Sequence, residues 1–197
     1  MSRLLSSALR PAPLAVNGRS ASADLLLRAA TVVAASLFVA LCAHIAVPLP
    51  FTPVPFTLQP FAVILVGMLL GPTAGFAAMA VYLAEGAAGL PVFTPAGLPG
   101  IARLIGPTGG YLFAYPLAAA IAGALPRIVK SPRFAAYALG GLAAMTLIYT
   151  CGALWFSHQI GVNFSTALGS TVLPFALSDL VKICAAAGIT AAVAKRA

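Results

Sequence analysis

The sequence predicts an all-α integral membrane protein of one domain, with about six transmembrane helices and both termini in the cytoplasm. Three observations predict it. Hydrophobic residues fill 61% of the 197 positions and charged residues only 7%, against about a quarter charged in a soluble domain. Apolar segments recur along the chain in enough length for about six spans of about 20 residues. The basic residues flank those segments and form no cluster on a soluble module. The net charge of +8 therefore reads as membrane topology rather than nucleic-acid affinity.

Residues 1–23 are rich in Ser, Ala and Arg and hold no acid. Arg10, Pro11, Pro13, Asn17 and Arg19 break any apolar core ahead of Ala21-Ser22-Ala23, which argues against a secretory signal. This stretch reads as a flexible cytoplasmic leader, with a transit-like peptide as the alternative. The first segment runs from about Asp24, a candidate N-cap, to Val47. Ala30 and Ala34 give it a small-xxx-small spacing that allows close helix contact.

Five prolines between Pro48 and Pro60 exclude regular helix, so this stretch reads as an extended apolar loop. Its backbone is tolerated at membrane depth only where protein or a wet cavity satisfies it. Segment two, about Phe61 to Leu70, is short for a span. Gly71-Pro72 marks a tight turn, and segment three follows from about Thr73 to Leu90 with Tyr82 and Glu85. A Pro/Gly-rich loop from Pro91 to Pro107 contains Arg103. Segment four runs from Gly106 to about Leu125, and a basic loop follows from Pro126 to Arg133. Segment five covers about Phe134 to Phe156, before a polar loop holding Ser157, His158, Gln159 and Asn163. Segment six runs from about Ser170 to Ala194.

Arg3, Arg10, Arg19, Arg28, Arg127, Lys130, Arg133, Lys195 and Arg196 fall on one side of this scheme, nine of the eleven basic residues. The positive-inside rule makes that side the cytoplasm. Glu85 and Asp179 then lie about 7 and about 14 Å below the outer boundary at 1.5 Å per residue. Arg103, Gln59, His44 and Asn163 belong to the outer side as well. The expectation is a polar pocket in the outer leaflet, roofed by Pro/Gly-rich loops and open to an amphipathic ligand with a carboxylate.

Asp179 and Lys182 are central to it. Three helical residues apart, they lie about 60° apart on one face. Ionisable groups within a span cost about 2.5–3.5 kcal/mol each on insertion scales, so they are retained to bind something or to pair with each other. Both roles are compatible. Arg103 reads as a ligand contact or a solvated loop residue. Glu85 reads as a site residue or a packed acid, with Tyr82 near its face, and Gln59 as a site amide or merely wet. Cys42, Cys151 and Cys184 have no metal spacing and read as small core residues. The chain lacks a phosphate-binding Gly-Lys-Ser/Thr loop, HExxH and GxSxG. No catalytic residue, metal or cofactor is expected.

Four stretches, taken together, resemble the BioY family, the biotin-binding substrate component (S component) of energy-coupling-factor (ECF) transporters. They are Val54-Pro55-Phe56-Thr57-Leu58-Gln59, Gly67-Met68-Leu69-Leu70-Gly71-Pro72, Gly86-Ala87-Ala88-Gly89-Leu90-Pro91-Val92-Phe93 and Gly106-Pro107-Thr108-Gly109-Gly110-Tyr111-Leu112. Asp179-Leu180-Val181-Lys182 completes the pattern. The resemblance implies six helices in a bacterial cell membrane and capture of biotin from outside. It also implies coupling to a membrane-embedded T component and two cytoplasmic ATPases. Asp179 and Lys182 would meet the vitamin, with Arg103 assisting, and Ala30 and Ala34 would dock the T component. An S component for another small vitamin, a membrane scaffold and an intramembrane enzyme are the rival readings. A homo-oligomer is compatible with all of them.

Overall fold

The computed structural model describes residues 21–52, 54–129, 131 and 133–196. Arg3, Arg10, Arg19, Lys130 and most of the leader lie outside the described residues. Helix α1 spans Ala21–His44 and starts three residues before the expected Asp24. Asp24 therefore sits in the first turn, where the positive end of the helix dipole favours a carboxylate.

The proline-rich stretch is not wholly a loop. Strand β1 (Ala46–Val47) pairs antiparallel with β2 (Phe56–Thr57), with Ala46 opposite Thr57. Leu58 N–H also donates to Ile45 O. This hairpin satisfies backbone that the prolines leave out of any helix. Helix α2 (Gln59–Leu70) carries Pro60 in its first turn, where a missing N–H costs nothing. Its 12 residues rise about 18 Å.

Helix α3 spans Pro72–Ala87, and the five-residue α4 spans Ile101–Ile105. Helix α5 spans Gly109–Ile128 with Pro116 and Pro126 inside it, so it continues past the expected end at Leu125. Helix α6 spans Arg133–Ile160. Ser157, His158 and Gln159, expected in a polar loop, form its last turn. Asn163 caps α7 (Phe164–Thr171) by accepting from Thr166 N–H at 2.8 Å.

Helix α8 spans Ala176–Arg196, not the expected stretch from Ser170. Pro174 has no N–H to donate and its ring clashes with the carbonyl four residues back. The chain accordingly closes α7 and turns through residues 172–175 before α8 begins. Asp179 thus lies in the first turn of α8 rather than about nine residues into a span.

Among the described residues, α1, α5, α6 and α8 are long and apolar enough to cross a membrane, and α2 is a shorter apolar helix. Close packing rests on small residues. A Cβ at Gly67 would stand 2.2 Å from Ala119 O, and one at Gly123 would stand 2.3 Å from Gly67 O. Helices α2 and α5 therefore touch backbone to backbone. Gly67→Ala is expected to lower stability by about 1–3 kcal/mol through overpacking, read as a lower thermal midpoint in detergent. Gly188→Ala meets nothing within 4 Å and should be neutral or mildly stabilising.

Direction follows from side-chain neighbours. The Arg127 guanidinium sits against Gly71, between α2 and α3. Thr190 Oγ1 lies 3.8 Å from Met68 Sδ, near the same end. Tyr149, past the middle of α6 from Arg133, meets Asp179. Arg127, Arg133, Lys195 and Arg196 therefore gather at the end opposite Asp179, which the positive-inside rule assigns to the cytoplasm.

Candidate functional site

At the other end lies a cavity of about 650 Å³, counting its open mouth. The hairpin, the loop before α4, and α5, α6 and α8 all contribute walls. Gln59, Arg103, Asp179 and Lys182 line it, with Phe93, Tyr115, Ile148 and Phe175 among the apolar surfaces.

Asp179 and Lys182 are an ion pair, with Lys182 Nζ 2.6 Å from Asp179 Oδ1. Both residues are buried, at 3% and 7% exposure, which puts the pair in a low-dielectric setting where unpaired charge is costly. Each partner is held further. Lys182 Nζ donates to Thr57 O at 2.7 Å and stands 4.3 Å from the centroid of the Phe56 ring, a cation–π distance. Tyr149 Oη donates to Asp179 Oδ2 at 2.5 Å. The first-turn position of Asp179 adds the favourable helix dipole. Phe56 stacks with Phe175, ring centroids 6.5 Å apart, so the hairpin and the turn before α8 pack together at one side of the cavity.

Arg103 is half-buried on α4, and its guanidinium donates to Ala96 O and Thr94 Oγ1. Burial pushes its pKa down from the ordinary arginine value, opposed by nearby Tyr82 and Tyr115. Those bonds use two of the five N–H donors an arginine carries. Helix α4 is itself fastened to α6. Trp155 Nε1–H donates to Gly106 O at 2.9 Å, and Gln159 Nε2 donates to Ile105 O. Gly110 permits this approach, since a Cβ there would stand 2.2 Å from Trp155 Cβ.

The remaining expected site residues divide. Gln59 lines the cavity, and its Nε2 donates to Tyr82 Oη at 2.7 Å. Tyr82 is fully buried behind it and donates to Val92 O at 3.0 Å. It supports Gln59 and the loop rather than the cavity wall. Glu85 points elsewhere. Its Oε1 accepts from Ser36 Oγ on α1 at 3.0 Å, and it is not among the cavity-lining residues. Ala30 and Ala34 are exposed on α1 and are not among the cavity-lining residues.

Sequence reasoning left out Tyr149, Phe56, Phe175 and the Thr57 carbonyl. A tyrosine deep in an apolar segment was the available signal for Tyr149, because a buried hydroxyl there needs a partner. Tyr111 donates to Thr171 Oγ1 at 2.6 Å and also lines the cavity.

The family model for the BioY family matches residues 16–197. The chain is 41% identical over 158 residues to the probable biotin transporter BioY of Pyrococcus horikoshii, covering 77% of this chain and 88% of that protein. It is 39% identical over 142 residues to the biotin transporter BioY of Thermotoga maritima, covering 72% and 81%. The fold is similar to a crystal structure of the S component for biotin from an ECF-type ABC transporter, with a TM-score of 0.79 and 27% identity. That match covers 90% of this chain and 95% of the other. The chain is a multi-pass membrane protein and belongs to the BioY family.

Proposed function

We propose that this protein takes up biotin, capturing it on the outer side as the substrate-binding subunit of an ECF-type transporter. The observation that carries the reading is one apolar cavity with a buried Asp179–Lys182 pair, Tyr149 bonded to it, and a separate cation, Arg103. Biotin has matching ends, a ureido ring with N–H donors and a carboxylate. Asp179 accepts the ureido N–H groups. Lys182 Nζ already faces Asp179, the Thr57 carbonyl and the Phe56 ring, whereas Arg103 keeps donors to spare. The carboxylate therefore goes to Arg103 as a charge-assisted pair, and Phe93, Tyr115, Ile148 and Phe175 enclose the thiophane ring. ATP hydrolysis falls to partner subunits, and a T component docks against Ala30 and Ala34 on the exposed face of α1.

Equilibrium binding of radiolabelled biotin to the purified chain in detergent tests the site. Saturable, tight binding is expected, and folded protein that ignores biotin would refute the reading. Ala34→Trp tests the docking face. It should lose co-purification with the T component while biotin binding persists, and retained co-purification removes Ala34 from the interface.

A further inference from the structure

A second cavity lies beyond Arg103. It holds about 410 Å³, mouth included, between Pro48, Leu49 and Thr52 of the hairpin loop and Ala96 and Gly97 of the loop before α4. Pro55 and Arg103 line both cavities. The Arg103 side chain is therefore the partition between them. It is held in place by Thr94 and Ala96, and a Cβ at Gly97 would stand 2.0 Å from Nη1. Among the described residues, Arg103 is the charged residue in the second cavity's lining, beside apolar side chains, Thr52 and main chain.

We propose that this second cavity receives the substituent of biotin derivatives extended at the carboxyl group, so that the protein binds secondary amides of biotin as well as the free acid. The proposal rests on the reading that places the biotin carboxylate at Arg103. A site that ended in a solid wall there would reject any extension. Here the far side of the guanidinium is open space walled by Pro48, Leu49 and Thr52.

The chemistry is compatible with such an amide. Its carbonyl oxygen accepts from a guanidinium N–H where the carboxylate would have done so. The amide loses the ion pair but keeps a hydrogen bond to a charged donor. An alkyl substituent then runs past the partition along Leu49 and Pro48 without placing a charge against an apolar wall.

Competition against radiolabelled biotin on the purified chain tests this, with N-butyl biotinamide as the probe. Wild-type protein is expected to bind the amide within about a hundredfold of biotin, the loss set by one ion pair. Leu49→Trp fills the second cavity. It should weaken the amide at least about tenfold, as loss of pocket space does, and leave biotin affinity within about twofold. Pro48→Trp, on the same wall, gives an independent second reading. Wild-type protein that binds biotin but excludes the amide overturns the proposal and leaves biotin capture intact. Amide affinity unchanged in both tryptophan variants also overturns it. Failure of biotin itself to bind folded wild-type protein removes the underlying reading of the site instead.

Discussion

Lys182→Met is expected to abolish measurable biotin binding and to lower stability by about 3–5 kcal/mol, the cost of leaving a buried partner charge unpaired. The substitution strands Asp179, which is 3% exposed and, among the described residues, keeps only Tyr149 as a side-chain partner. It also releases the Thr57 carbonyl and the Phe56 ring, so one wall of the cavity loses its tie to α8. Asp179→Asn combined with Lys182→Met separates the two effects. Removing both charges should restore most of the stability, because a neutral pair of similar volume needs no counter-charge. Biotin binding should not return, since the carboxylate that accepts the ureido N–H groups is gone. Thermal midpoints in detergent and equilibrium binding, measured on the single and double variants, check both halves. Tight binding by the double variant would overturn the role given to the pair.

Arg103→Gln is expected to weaken biotin about ten- to a hundredfold, as loss of a charge-assisted hydrogen-bonded pair does. The change should be confined to the acid end of the ligand. Biotinol, in which the carboxyl group is an alcohol, should bind wild-type protein and the variant with similar affinity. Biotin and biotinol should therefore converge in the variant. A variant that loses both ligands equally would mean that Arg103 shapes the cavity through Thr94 and Ala96 rather than holding the carboxylate. Isothermal titration of both ligands distinguishes the two.

The apolar segments, the side on which basic residues collect and the Asp179–Lys182 spacing were legible because each is written in residue type and period. The hairpin was not. Two strands of two residues each leave no alternation to read, and prolines mark only where a helix cannot be. The break before α8 was hidden because residues on both sides of Pro174 are apolar. Depth along a helix follows from counting, but direction around it requires knowing which face meets which neighbour. Glu85 shows the difference. Its level in the bilayer was countable from the end of α3, yet its carboxylate turns toward Ser36 on α1 while Tyr82, one turn away, turns toward Gln59. The Thr57 carbonyl contact could not be read from sequence at all, since every residue has such a group and only the fold selects one.

The bond from Lys182 to the Thr57 carbonyl joins residues 125 positions apart, and this has a consequence for how the protein is made. At synthesis rates of about 5–20 residues per second, the ribosome delivers Lys182 on the order of ten seconds after Thr57. Until then the hairpin and Tyr149 wait in the membrane without the groups that α8 brings. A nascent chain halted before Ala176 already holds Gln59 and Arg103 but neither member of the ion pair. The ability to retain the vitamin therefore arrives in one step, with α8, which carries both members of the ion pair.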